Sequence, residues 1–502
     1  MSSVLPLTPG DTPPERPSAL DRFFERDLFS SAALLVIALL PRLYVAIAWA
    51  REPVWDGHYY DFGARRIAAG LGYSDGTTTW HPWCHWPVGY SGALAAIYGL
   101  FGKGPRVATI FNAVVGALLA AFTHRLARYE LSPWRARAAG AMVALYPGLI
   151  AYSALVMTEP LSALSIVVAG WLWIRWRQER PRLGAALFGL AIGLGTLVHP
   201  SFIGYAPAIV LIFGETVAAA LRGPLLPKSL AAAATATACA IAPVLPWTLR
   251  NCQVMDRCAF VSTNGGWNLA IGSFPRATGR FETLRASDGC EVVTGQVQQD
   301  NCWRDYAVAH IARDPARWLA LVPKKLGFTF DHESFPIEYL HEADPDRWPE
   351  DRRRQGRALL TGAHRVLVTM AIFALFGAPP KTRSERVVTA ALLLLVTALT
   401  LFAWVGKASP FYLLPLATAL LGWLPLRSGR PMGPVLRWAL FSVVGTLLTH
   451  AVFFGEDRYH IVVTPMLCLL AAGAFATHAE PACTRPHGGR NADVASDAVT
   501  IV

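Results

Sequence analysis

The sequence predicts an all-α polytopic membrane protein with about twelve transmembrane helices, in a range of roughly ten to thirteen. Three observations carry that prediction. Of 502 residues, 53% are hydrophobic and only 16% charged, against about 25% charged in an ordinary soluble domain. Mean hydropathy is +0.36, more apolar surface than one soluble core hides and far from the low hydrophobicity that disorder requires. Finally, apolar runs near the ~20 residues that span a bilayer recur along most of the chain.

The candidate spans lie near 29–50, 106–124, 138–154, 158–175, 183–199, 201–219, 229–248, 358–377, 387–405, 409–426, 435–454 and 460–477. The net charge of +11 would favour nucleic acid in a soluble protein. Here the basic residues collect in short turns, which is the signature of cytoplasmic loops. Arg125, Arg128, Arg135 and Arg137 form one such turn, and Arg175, Arg177, Arg180 and Arg182 a second. Arg222 with Lys228, then Lys381, Arg383 and Arg386, then Arg427, Arg430 and Arg437 mark three more. They alternate with turns almost free of Lys and Arg at 152–159, 198–202, 406–409 and 455–459. Both termini are therefore expected inside. The N-terminal stretch 1–28 reads as a polar, Pro-rich cytosolic tail rather than a signal peptide, and the stretch after 478 as a second disordered cytosolic tail.

Two long polar stretches, 51–105 and 249–357, fall on the opposite side, so the working surface is expected there. The organisation that follows is a membrane module at 29–248 that includes 51–105, a loop region at 249–357, and C-terminal helices at 358–477. Four of the eight cysteines lie in the second stretch. Outside the cytoplasm disulfides persist, and the expected pairs are Cys252–Cys258 and Cys290–Cys302. A zinc site is the rival for these four. Cys239 and Cys468 read as small apolar residues within helices. No internal repeat is visible, which weighs against transporters built from inverted repeats.

The first outer stretch holds the most chemistry. Asp56 follows the first span in Arg51-Glu-Pro-Val-Trp-Asp56-Gly-His-Tyr-Tyr60-Asp61. Asp suits a helix N-cap, and Tyr59 to Gly70 reads as a short interfacial helix with one apolar face. Trp80-His81-Pro-Trp-Cys-His85-Trp86-Pro87 follows. Its aromatics suit an interface, and His81 and His85 could meet an anionic headgroup or a metal. Glu159 stands at the start of its helix, where the dipole stabilises an acid, on the same side as Asp56. Arg250 closes the seventh span, and Arg458 precedes the last in Gly455-Glu456-Asp457-Arg458-Tyr459-His460. Arg snorkels at interfaces but also binds phosphate bidentately. Arg42 is an intramembrane charge, functional by default unless it snorkels, and Glu215 sits near the cytosolic edge. The stretch 261–283, rich in Gly, Asn and Thr, reads as a loop over the outer face that could line a sugar site.

Taken in order, these motifs resemble the bacterial GT-C glycosyltransferases that use a polyprenyl-phosphate sugar. The resemblance is to the RgtA/B/C/D-like group, related to the protein O-mannosyltransferases and the lipid A aminoarabinose transferases. It rests on Asp56 leading into YYDFGARRIAAGLGY, on WPVGYSGALAAIYGLFG, on ALYPGLIAYSALVMTEPL, on LPWTLRN followed by FVSTNGGWNLAIGSFPRATG, and on EDRYHIVVTPMLCLLAA. The match runs from about residue 30 to 477.

The resemblance implies inverting sugar transfer on the periplasmic side of a bacterial inner membrane. The donor would be a polyprenyl-phosphate-linked sugar, the acceptor a lipid, glycan or protein, and nucleic acid would not be a partner. It makes Asp56 the general base and Glu159 the second acid, with Arg250, Arg458, His81 and His85 on the donor phosphate. Tyr60, Asp61, Asn264 and Tyr459 would line the substrate loops. It makes no cofactor certain and a divalent cation possible, which would sit on Asp56 and Glu159. One departure stands out. Some relatives carry Lys or Arg just before the Pro of the first loop, and this chain has His85-Trp86-Pro87. The alternatives are a transporter or flippase for lipid-linked glycans, which would place polar groups deep in several helices, and a non-catalytic glycan-assembly protein.

Overall fold

A computed structural model describes residues 27–76, 81–214, 217–291, 295–377, 380, 382–406, 408–423 and 432–474. Most of the predicted N-terminal tail, the tail after 478, Trp80, Glu215, Lys381, Arg427 and Arg430 lie outside them. The described residues are helical throughout, and their β-structure is limited to the isolated bridges Ser74–Pro82 and Arg280–Gly455.

Among the described residues, seven helices are long and apolar enough to cross a membrane. They are α1 (Phe29–Ala48), α4 (Pro105–Ala127), α6 (Pro181–Val198), α7 (Leu226–Val254), α8 (Glu350–Phe376), α9 (Arg383–Val405) and α10 (Pro434–Val452). In α1, α4 and α6–α10 the apolar runs predicted from sequence become single helices. Between them lie the shorter α2 (Trp55–Ala68) and α3 (Val88–Phe101), and α5 (Glu159–Trp176) packs against both α4 and α6. Exposed apolar side chains mark the lipid-facing surface: Leu40 on α1 is 65% accessible, Leu394 and Val405 on α9 72% and 80%.

Three of the other predicted spans are interrupted, and proline explains where. The run 138–154 breaks at Pro147, where Pro133–Leu145 ends and a short helix Pro147–Ala151 begins. The run 201–219 forms two 3₁₀ turns, Pro200–Tyr205 and Pro207–Ile212, each opened by a proline, which supplies no N–H for a continuous ladder. The last span is a 3₁₀ turn, Tyr459–Val463, leading into α11 (Thr464–Gly473) through Pro465.

The first break accounts for Arg42. Its guanidinium donates to the carbonyls of Ala144 (2.5 Å) and Val143 (2.8 Å), and to Ala38 on its own helix (3.0 Å). These are carbonyls at the C-terminal end of a helix, which lack intrahelical partners and carry the negative end of the dipole. Gly116 makes room, since a Cβ there would lie 2.7 Å from the Arg42 Nε. The intramembrane charge is thus a cap for a broken helix.

Residues 51–101 and 255–343 gather at one end of the bundle. A short antiparallel ladder joins Tyr73–Asp75 to His81–Trp83, with Trp83 N–H donating to the Tyr73 carbonyl and Asp75 N–H to that of His81. The later stretch has its own core of Phe274, Leu284, Trp303, Ala307, Leu321 and Phe454. Cys252 is bonded to Cys258 and Cys290 to Cys302, while Cys84, Cys239 and Cys468 are free. The loop is stitched to the turn before α11, where Gly455 N–H donates to the Gly279 carbonyl at 2.8 Å. The beginning, middle and end of the chain therefore meet at one place.

Candidate active site

That meeting place encloses a cavity of about 1080 Å³ lined by Asp56, Tyr60, His85, Glu159, Asn264, Arg458 and Tyr459. Seven of the ten candidate residues from the sequence are brought together. Asp56 lies in the first turn of α2 rather than at its N-cap, which is Val54. The residue before it, Trp55, has φ +50°, an uncommon conformation for a non-glycine residue that a folded environment must enforce. The Trp55 ring is held against Phe335 and Tyr339, with centroids 5.5 and 5.8 Å away. Gly57 lets α2 approach this closely: a Cβ there would strike the Tyr339 hydroxyl and come within 2.7 Å of the Val156 carbonyl.

The Asp56 carboxylate is engaged on both oxygens. Oδ2 accepts from Arg458 Nη1 at 2.6 Å, and Oδ1 from the Trp86 indole N–H at 3.3 Å. Arg458 also pairs with Glu456, Nε to Oε2 at 2.6 Å, and its Nη2 donates to the Tyr459 hydroxyl at 3.2 Å. Burial works against the Arg458 charge, but Glu456, Tyr459, Asp56 and Glu159 together hold its pKa well above the ordinary value. The same burial raises the Glu456 carboxyl, with Arg458 opposing it. Arg458 is thus a fixed positive charge on the cavity wall.

Glu159 is buried at the start of α5, and its Oε2 has no hydrogen-bond partner. A buried polar atom left unsatisfied costs on the order of 1–3 kcal/mol, and such a cost is retained where a ligand meets the group. Aromatic rings line the cavity beside these charges. Tyr59 stacks on Trp86 with centroids 3.9 Å apart, and His85 packs edge-on to Trp86 and Trp267. Burial lowers the His85 pKa, with Asp56 pulling the other way. Tyr459 stacks on His450 at 4.1 Å.

Three candidates lie elsewhere. Arg250 donates to the carbonyls of Tyr73 (2.8 Å) and Trp83 (3.1 Å) and to Asn251 Oδ1 (3.0 Å), and its guanidinium lies over the Trp247 ring. It clamps both sides of the 73–83 ladder. His81 pairs with Asp75 on the exposed side of that ladder. Asp61 is buried between Tyr98 and Arg65, a structural link between α2 and α3.

Other residues in the cavity were not singled out from sequence: His199, His332, Glu338, His450, Glu456 and Asp457. His199, in Val198-His199-Pro200, was legible as a polar residue in a turn facing the same side as Asp56. A divalent cation on Asp56 and Glu159 would have to displace partners already present. Both Asp56 oxygens are engaged, one by a guanidinium that would repel the ion, and only Glu159 Oε2 remains.

Fold and site together define an all-helical, multi-pass membrane protein with a charged, aromatic-walled cavity at one end of its bundle. Comparison with known proteins finds likenesses over part or most of the chain. Residues 85–247 match the family model described as dolichyl-phosphate-mannose-protein mannosyltransferase. No curated protein matches. Among solved structures, the chain is similar to the oligosaccharyltransferase of Archaeoglobus fulgidus tethered with an acceptor peptide (15% identity, 90% of this chain, 50% of that chain, TM-score 0.45). It is also similar to ArnT from Cupriavidus metallidurans, in the apo state (16%, 91% and 78%, 0.36) and bound to undecaprenyl phosphate (15%, 88% and 77%, 0.36). The chain spans about half the length of the archaeal enzyme.

Proposed function

We propose that this chain is an inverting glycosyltransferase that moves a sugar from a polyprenyl-phosphate donor to a hydroxyl-bearing lipid, glycan or protein acceptor. The cavity would face the periplasm of a bacterial inner membrane, an orientation that the alternation of basic turns supports. The single observation that carries this reading is the Asp56–Arg458 pair on the wall of a large cavity. A base and a fixed cation side by side are the two groups the reaction needs. The match of residues 85–247 to a family named for a lipid-phosphate sugar donor supports the donor class.

In the transfer, the acceptor oxygen forms a bond to the anomeric carbon while the bond from that carbon to the phosphate oxygen breaks. Asp56 takes the acceptor proton, a role worth roughly 10²–10⁴-fold. The leaving polyprenyl phosphate gains negative charge, and Arg458 stabilises it by a charge-assisted hydrogen bond. Docking of that phosphate draws the guanidinium away from Asp56 Oδ2 and frees the oxygen that accepts the proton. Glu159, with its unpartnered oxygen, orients the acceptor hydroxyl. The Tyr59–Trp86 face offers a platform for a sugar ring. No step is routed through a metal.

The test is an in vitro assay with purified protein, polyprenyl-phosphate sugars and a membrane-lipid extract as acceptor pool. Polyprenyl phosphate is counted as it is released. The reading expects release by wild type and loss of release by Asp56→Asn. Equal release by both removes Asp56 from the chemistry, and no release with any donor–acceptor combination favours the transporter or assembly alternative.

A further inference from the structure

Behind the cavity wall lies a second cluster that the transfer reaction does not use. Glu333, His364 and His460 are each fully buried, and one ligand atom from each lies within 4.8 Å of the others. They come from three parts of the chain: the turn after residue 330, the middle of α8, and the 3₁₀ turn that follows Arg458.

The backbone fixes the imidazole tautomers. His460 Nδ1 lies 2.7 Å from the Thr329 carbonyl, and His364 Nε2 lies 2.8 Å from that of Phe330. A carbonyl only accepts, so each of these nitrogens carries the hydrogen. The other nitrogen of each ring, His460 Nε2 and His364 Nδ1, then presents a lone pair to the cluster. His364 Nδ1 has no partner, and neither does Glu333 Oε1. His460 Nε2 faces Glu333 Oε2 at 3.1 Å, and when Glu333 is ionised both atoms are acceptors. Histidine pinned through one nitrogen to a backbone carbonyl, with the other aimed at a shared point, is the arrangement of a metal ligand with its outer support.

From this geometry we propose that Glu333, His364 and His460 bind a divalent transition-metal ion of the zinc class, at a site separate from the cavity acids. Two imidazoles and one carboxylate form a ligand set that zinc accepts. At bond lengths of about 2.0–2.1 Å, small side-chain rotations bring the three atoms onto one ion. The Tyr146 hydroxyl, 2.5 Å from Glu333 Oε2, supports the carboxylate. Asp457, buried and accepting from the Phe335 amide at 2.9 Å, adds a second negative charge nearby. The ion ties the 329–335 turn and α8 to the turn carrying Arg458, two residues before His460, and so holds the cavity cation in place.

The experiment is metal analysis of the full-length protein in detergent, after loading with zinc sulfate and exhaustive dialysis against EDTA. The expected result is about one zinc ion retained per chain, as suits a buried site loaded with folding. Cobalt(II) in its place should give the visible bands of a low-coordinate site. His364→Asn and Glu333→Gln should lose the retained metal, while Asp56→Asn keeps it. Substitution at these buried positions risks misfolding, so the cobalt spectrum of wild type stands as an independent readout. Absence of both retained zinc and a cobalt spectrum in wild type overturns the proposal and leaves a protonated Glu333 hydrogen-bonded to His460. Metal that survives in His364→Asn, or is lost in Asp56→Asn, overturns it by placing the ion elsewhere.

Discussion

Arg250 and Arg458 look alike in the sequence, yet the structure gives them opposite surroundings. Each stands at the end of a span, on the same side of the chain, and both were expected at a phosphate. Arg250 meets backbone carbonyls on both sides of the 73–83 ladder, and its donors are occupied by groups that never leave. Arg458 meets two carboxylates at the wall of a cavity, partners that an incoming anion can replace. The lesson is that an arginine's role is set by what its donors already touch. Backbone carbonyls make it a brace, and side-chain acids beside open volume make it available to a ligand.

Substitutions sharpen this contrast. The largest effect is expected from Asp56→Asn, which should lower kcat by about 10²–10⁴-fold, measured as polyprenyl phosphate released, with thermal unfolding unchanged. Arg458→Gln should follow, lowering kcat/KM by roughly 10²–10³-fold with a weaker grip on donor. If Arg458→Gln instead unfolds the protein while sparing activity, the two arginines have been assigned the wrong way round. Arg250→Ala should act on the fold, costing about 1–3 kcal/mol of stability as the Tyr73 and Trp83 carbonyls lose their donors. Its Tm should fall, and the activity of the folded fraction should change far less than in Arg458→Gln. Gly57→Ala pushes a methyl toward Tyr339 and the Val156 carbonyl, and overpacking of this kind costs about 1–3 kcal/mol. It should lower both Tm and kcat, because the displaced element carries Asp56. The smallest effect is expected from His81→Ala, within about 0.5 kcal/mol of wild type, read by the same unfolding measurement. A large loss of transfer there would return His81 to the site.

The helical, multi-pass fold was legible because apolar length and basic turns are properties of the chain itself. So was the placement of Asp56 and Arg458, each a charged residue beside a span on the same side, while their roles in the reaction are a proposal. Their pairing was not legible, since it joins residues 402 positions apart and depends on how the bundle closes. The engagement of Arg250 required the path of the 73–83 ladder, which nothing in Pro246-Trp-Thr-Leu-Arg250 announces. For Arg42 the sequence offers two readings, a functional intramembrane charge or a snorkelling one. Its true partners are carbonyls freed where Pro147 breaks a helix, and that proline was visible in the sequence. The 3₁₀ turns at 200–212 had the same signal in Pro200 and Pro207. The Glu333–His364–His460 cluster left no trace in spacing, because its members come from three separate elements.

The central claim, that Asp56 performs chemistry while Arg458 holds the phosphate, is tested most directly by separating donor binding from transfer. Binding of a polyprenyl-phosphate sugar and single-turnover transfer would be measured on wild type, Asp56→Asn and Arg458→Gln, all in detergent at the same salt. The account predicts that Asp56→Asn binds donor at least as tightly as wild type but transfers about 10²–10⁴-fold more slowly, while Arg458→Gln binds it weakly. Donor binding lost in Asp56→Asn with transfer of bound donor intact, or unchanged binding in Arg458→Gln, would contradict it.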